Sequence, residues 1–247
     1  MKTVYIVGDR FKNFLKNEHT VSISAFEKML FRNKFKGGTQ HFALGQGVST
    51  ERANNIVRQA PKLKALGINI AFKELNKSGQ MLVHKHNYAN SLLSAPRKLS
   101  ANRYQADVYI DDRCDELCDH ITGQHVSGML IVEACRQMFL AVTEQFYLKP
   151  FEKDFYFVIR SLHTQYHKFV FPLDIVIDYT VRDFQSLKPG VLRFDVEMQV
   201  RQCDETCATV RYQFSTYEAQ LIAEKEAHAA QQAIQYATAS EALSYEI

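Results

Sequence analysis

Neither sign of charge is in excess: 30 Lys and Arg against 27 Asp and Glu leave a formal net charge of +3. A nucleic-acid binder follows a polyanion with a basic stripe, usually interleaved with aromatic side chains. Only Arg97-Lys98 and Lys34-Phe35-Lys36 come near such a stripe, and both read more simply as solvated loop charge. Long apolar runs are missing too. A membrane span needs about 20 consecutive apolar residues, and the longest run, from Gly128 to Phe146, is broken by Glu133 and Arg136. The opening MKTVYIVGDR has too short an apolar segment before Asp9 for a secretory signal. The expectation is a cytoplasmic protein that needs neither membrane nor nucleic acid. Cysteines are few and odd in number, five in 247 residues, which argues against a disulfide framework. Two Cys-x3-Cys pairs, Cys114/Cys118 and Cys203/Cys207, are looser than the Cys-x2-Cys of zinc sites, so reduced thiols are expected, with no metal and no other cofactor.

With 46% hydrophobic residues, a chain of this length can bury a sizeable core in one large or two smaller domains. The first 78 residues alternate strand and helix signals. Thr3–Val7 is a β-branched and aromatic run stopped by Gly8. Ser24 with Glu27 three residues on forms a capping box for a helix from Ala25 to about Arg32. A second strand spans His41–Leu44, and Ser49 or Thr50 caps a helix that Pro61 kinks or restarts before Gly67. Ile68–Phe72 is a third strand. The order βαβαβ predicts a small α/β domain with parallel strands. Gly45-Gln46-Gly47 lies between strand and helix, where glycines let phosphates reach helix amides. It lacks a third glycine and a Walker lysine, so it reads as an ordinary turn. Asn76–Gln80 is polar and linker-like.

The stretch from Gly123 to Leu148 speaks to function. Between Gly128 and Phe146 it is apolar almost all round, the composition of a helix buried in a core. Glu133, Arg136 and Gln137 interrupt it at i, i+3 and i+4, on one helix face. A carboxylate, a guanidinium and an amide inside an apolar helix cost free energy unless paired. They form either a structural ion pair or a reaction site. At the helix start, Ser127 is a candidate N-cap. Gly128 lets a ligand approach the first turn, where free N–H groups and the helix dipole would meet an incoming oxygen.

HVSGMLIVEACRQ, from His125 to Gln137, resembles the HVPGMxLxEAxRQ signature of the A-factor biosynthesis (AfsA-type) hotdog family. Val83-His84-Lys85 and Ser91-Leu92-Leu93-Ser94 resemble that family's opening, so the likeness runs over about residues 81–217. Ser127 stands where the family pattern has proline. The resemblance implies an α+β chain: a hotdog domain, an antiparallel sheet wrapped around a long central helix, over 81–217. Ahead of it lies the small α/β domain of 1–78, and behind it a helical tail of 218–247 rich in Ala, Glu, Gln and Lys. Strand signals at Ser91–Leu99, Arg103–Ile110, Phe155–His167, Asp174–Arg182, Val191–Gln202 and Ala208–Tyr217 fit that plan, with turns at Lys188-Pro189-Gly190 and Cys203–Thr206.

The activity implied by the resemblance is condensation of a 3-oxoacyl group, carried as a thioester on acyl carrier protein or coenzyme A, with a dihydroxyacetone-phosphate-like acceptor, towards a γ-butyrolactone signal. In that reaction Glu133 would act as general base and Arg136 would hold the acceptor's phosphate. The amides of Gly128 and Met129 would polarise the thioester carbonyl. Gln137, His125 and His120 would contact substrate. The family usually carries two hotdog repeats, whereas this chain has room for one, so a homodimer is expected. A dehydratase or thioesterase on acyl thioesters, and a non-catalytic acyl-binding sensor, remain as alternatives.

Overall fold

The computed structural model describes residues 2–32, 34–35, 39–71, 77–121, 123–149, 151, 154–188 and 190–244. Lys36, Phe72, Asn76 and Pro189, each used above in a strand end, loop, linker or turn, lie outside them.

Four short strands, β1 (Thr3–Val7), β2 (Thr20–Ser22), β3 (Gln40–Leu44) and β4 (Ile68–Ala71), form an all-parallel sheet in the order β2-β1-β3-β4. Helices α1 (Ile23–Phe31) and α2 (Thr50–Ala65) cross between them. Their core is Ile6, Ile23, Phe26, Phe42, Ile56 and neighbours. The cap of α1 is two residues earlier than the sequence pattern predicts. Ser22 accepts from the Ala25 amide, while Ser24 donates its hydroxyl to Asp9 at 2.6 Å and Glu27 pairs with Arg52 at 2.7 Å. Tertiary partners claimed the residues of the presumed capping box. Pro61 neither breaks nor restarts α2, which runs unbroken from its Ser49 cap.

The second sheet is antiparallel, in the order β5-β6-β8-β9-β10-β7. It comprises β5 (Arg97–Lys98), β6 (Arg103–Val108), β7 (Phe155–Tyr166), β8 (Ile175–Lys188), β9 (Val191–Gln202) and β10 (Glu205–Glu218). Cys203 and Asp204, both at positive φ, make the tight β9–β10 turn that matches strand twist. The expected strand over Ser91–Leu99 shrinks to β5 and two isolated bridges, Lys77 to Ser94 and Leu93 to Val108. The buried Ser91 and Ser94 hydroxyls instead tie this segment to Ser78 and Asp107. A short helix, α3 (Asp115–Cys118), precedes the central helix α4 (Gly128–Thr143). A π-helical turn (Glu144–Leu148) extends α4, and the sheet wraps it: Phe139 stacks on Phe214 at 4.4 Å, and Tyr212 donates to the Val132 carbonyl at 3.2 Å. This is the predicted hotdog plan. Helix α5 (Ala219–Ser244) leaves the end of β10 largely exposed. Among the described residues no helix is long and apolar enough to cross a membrane.

The two sheets meet through their loops. The Gly45-Gln46-Gly47 turn sits at the carboxyl ends of β1 and β3, the place where open α/β sheets usually receive ligands. Here it grips the protein itself. The buried Gln46 amide donates to the Val108 and Leu173 carbonyls at 3.0 and 3.1 Å and accepts from the Ile110 amide at 2.8 Å. Nearby, the Asn13 and Phe14 amides both donate to the Gly123 carbonyl, and Phe14 stacks on Phe171 at 5.8 Å.

Candidate functional site

Helix α4 carries two openings. At its amino end, a hollow of about 380 Å³ is lined by His125, Gly128, Tyr166, Lys168 and Phe169 among others. Ser127 occupies the N-cap position but its hydroxyl caps nothing, so among the described residues no N-cap side chain takes up the first-turn amides. What Gly128 admits is a tyrosine. A Cβ there would lie 2.9 Å from the Tyr166 hydroxyl, which donates to the Gly128 carbonyl at 2.9 Å. The His125 ring lies 4.9 Å from the Phe169 ring at the same mouth. Met129 points outward and is 69% exposed. His120 is exposed just after α3 and lines neither hollow, so the structure does not gather it with the rest.

Further along α4 the three polar residues are paired with one another. Arg136 makes a two-pronged contact with Glu133, Nε to Oε2 at 2.7 Å and Nη2 to Oε1 at 2.9 Å. Gln137 Nε2 donates to Glu133 Oε1 at 2.9 Å and to the Asn90 carbonyl at 2.8 Å, while its oxygen accepts from the Leu92 amide. Gln137 is fully buried with its hydrogen bonds spent inside the protein, so it tethers the 90–92 segment and has no surface to offer a substrate. Lys85 completes the cluster. Its ammonium lies 2.9 Å from Glu133 and 3.6 Å from Glu116. Burial raises the Glu133 pKa, but donation from Arg136, Gln137 and Lys85 outweighs it and holds the carboxyl below its ordinary value. Glu133 is therefore held ionised and saturated with donors, which makes it a weak proton acceptor.

The cluster is not sealed. Arg136 lines a second hollow of about 370 Å³ whose other walls include His84, Phe139, Phe155, Phe157 and Ile159. An adjoining hollow shares His84 and Phe155 and adds Lys85 and Glu144. Two of the three Arg136 nitrogens are spent on Glu133, which among the described residues leaves Nη1 for an anionic ligand. Sequence reasoning pointed at Glu133 and Arg136 but passed over Lys85, although Lys85 is part of the Val83-His84-Lys85 likeness. Nothing local to Tyr166 marked it, because its role comes from β7 running back to the start of α4. Among the described residues no cluster could hold a metal ion, and all five cysteines are free thiols. Burial first, then the Glu116 carboxylate at 3.2 Å, pushes the Cys114 thiol up to about 12.

Comparison with solved structures finds a mutant thioesterase from Pseudomonas aeruginosa at 10% identity, with 51% of this chain and 81% of that one covered and a TM-score of 0.37. A thioesterase from Haemophilus influenzae matches at 12%, covering 56% and 87%, with a TM-score of 0.38. A hot-dog-like protein from Thermanaerovibrio acidaminovorans matches at 15%, covering 45% and 76%, with a TM-score of 0.36. Likenesses this faint add nothing to the assignment. No curated protein matches the chain. The profile of the A-factor biosynthesis hotdog domain matches residues 75–218, more than half of the chain, and the matched segment contains the whole antiparallel sheet and α4. The chain belongs to the A-factor biosynthesis hotdog family.

Proposed function

We propose that this protein is an acyltransferase that joins a 3-oxoacyl group, delivered as a thioester of acyl carrier protein or coenzyme A, to the hydroxyl of a small phosphorylated acceptor such as dihydroxyacetone phosphate. The observation that carries this reading is Arg136, a guanidinium held by Glu133 in the wall of an otherwise largely apolar hollow. An apolar wall suits an acyl chain, and a pre-oriented fork with a spare nitrogen suits a phosphate. Glu133 serves here as the group that orients Arg136, not as the base. The uncapped amides of Gly128 and Met129 face a developing oxyanion, and Lys168 and His125 at the mouth suit the phosphate of a phosphopantetheine arm.

Eight residues separate Gly128 from Arg136, about 12 Å along the helix, too far for one reacting centre within a single chain. A second copy resolves this. Strand β7 ends the sheet, pairs among the described residues only with β10, and leaves Tyr156, Ile159 and Leu162 about half exposed. Unprotected apolar edges of this kind invite pairing. Two β7 strands meeting antiparallel about their middles put the Tyr166 end of one beside the Phe155 end of the other. The hollow at Gly128 of one copy then adjoins the Arg136 hollow of its partner copy.

The reading is tested by thiol release from a 3-oxoacyl thioester with and without dihydroxyacetone phosphate. Release that requires the acceptor supports transfer. Acceptor-independent release, or loss of water from a 3-hydroxyacyl thioester, contradicts it in favour of hydrolysis or dehydration. Binding without turnover contradicts it in favour of a sensor. Arg136→Leu should raise KM for the phosphorylated acceptor and lower kcat/KM about 100-fold while the protein stays folded.

A further inference from the structure

With Glu133 saturated by donors, transfer needs another group to take the proton of the attacking hydroxyl. We propose that His84, oriented by Glu144, is that proton acceptor; this rests on the transfer reading above. The chain makes a single short turn at Gln80–Val83 and closes it with His84 in the left-handed region, at φ 53 and ψ 50. Non-glycine residues seldom adopt that backbone, although histidine does so more readily than most, and residues held there cluster at functional sites. One consequence is that adjacent side chains part company. Lys85 reaches Glu133, while His84 puts its Nε2 3.1 Å from Glu144 on the π-helical turn that prolongs α4. The π-turn is itself an irregularity of a kind frequent at functional sites.

A carboxylate that accepts from Nε2–H fixes the imidazole tautomer and leaves the Nδ1 lone pair to accept a proton. His84 is a wall of the hollow that also contains Arg136, so the ring and the proposed phosphate clamp share one space. Phe157 meets the ring edge-on at 5.3 Å and limits its rotation. Among the described residues, the charged groups around it are Glu144 on the π-turn, Lys85 and His86 on its own turn, Arg136 on α4, and Asp154 at the entry to β7. Glu144 is the carboxylate in hydrogen-bonding contact with the ring.

The step balances without a further reagent. The acceptor's oxygen bonds to the thioester carbonyl carbon as its proton passes to Nδ1, and the carbon–sulfur bond then breaks. The imidazolium returns the proton to the departing thiolate, so an ester and a free thiol are formed.

The test uses the full-length chain and follows thiol release from a 3-oxoacyl-coenzyme A in the presence of dihydroxyacetone phosphate, across pH. His84→Gln should lower kcat at least 100-fold, the usual scale for losing a general base, with KM and thioester binding little changed. Glu144→Gln should lower kcat less. Glu144→Asp should restore part of that loss, because a carboxylate that still reaches Nε2–H holds the same tautomer. The Glu144 variants keep the test alive if His84→Gln does not fold. Wild-type turnover that His84→Gln leaves intact, or a loss in Glu144→Gln that Glu144→Asp does not restore at all, overturns the assignment of His84 alone. A wild-type protein that binds the thioester and never releases thiol overturns the transfer reading, and this one with it.

Discussion

Two turns in this molecule offer backbone amides beside a glycine at the start of a helix, and only one of them is open. At Gly45-Gln46-Gly47, the end of a parallel sheet where ligands usually bind, the space is filled by the other half of the protein. A Cβ on Gly45 would lie 2.4 Å from the Pro172 carbonyl oxygen, and the Gly47 amide donates to Ile110. At Gly128 the nearest intruder is the tip of Tyr166, and a hollow of about 380 Å³ remains beside it. Glycines at a strand or helix end therefore say that something comes close. They do not say whether it is a ligand or the chain itself.

The contrast can be broken most forcefully at the closed turn. Gln46→Leu strands the Val108 and Leu173 carbonyls and the Ile110 amide without their partner, and unsatisfied buried groups cost roughly 1–3 kcal/mol each. The expected loss, measured by denaturant unfolding, is roughly 3–5 kcal/mol. The same variant should leave no nucleotide-binding defect to measure, because no site for one is open there.

The ionic cluster on α4 comes next. Glu133→Gln removes the carboxylate shared by Arg136 and Lys85 and should cost about 2 kcal/mol at neutral pH, less than for a fully buried pair because Arg136 stays 29% exposed. The pH dependence has a definite sign. Glu133 titrates lower in the folded protein than its ordinary 4.5, so its contribution is present above pH 4.5 and is lost as pH falls through the folded value. The stability gap between wild type and Glu133→Gln, followed by unfolding at several pH values, should therefore shrink only below about pH 4.5.

The open turn is the mildest to disturb. Tyr166→Phe gives up one half-exposed hydrogen bond to the Gly128 carbonyl and should cost below about 1 kcal/mol in thermal unfolding. Gly128→Ala only asks a flexible tyrosine tip to move and should cost about 1 kcal/mol. A loss near that of Gln46→Leu would mean that the opening at Gly128 is as closed as the other.

Much of this was legible in the residues. The run from Gly128 to Phe146 declared a buried helix, and the spacing of Glu133, Arg136 and Gln137 put them on one face because helical geometry leaves no choice. Strands Thr3–Val7 and Val191–Gln202 fall where their β-branched and aromatic residues end. What escaped was set by contacts far apart in the chain. Ser24 and Glu27 spell a capping box, yet Asp9 and Arg52 hold them. Gln137 reads as a substrate contact, yet Asn90 and Leu92 use up its amide. Ser91–Leu99 has strand composition, yet most of it pairs through isolated bridges and serine hydroxyls. His84 and Glu144 lie 60 residues apart, one at a left-handed turn end and the other on a π-turn, and neither feature is written in local composition.

The account stands on the opening at the start of α4 being the place where an acyl thioester enters. Calorimetric titration of a 3-oxoacyl-coenzyme A into wild-type protein and into Gly128→Leu, with circular dichroism to check the fold, tests this most directly. The account predicts saturable binding to wild type and its loss when the leucine fills the mouth beside Tyr166. Equal affinity in the two folded proteins would contradict it.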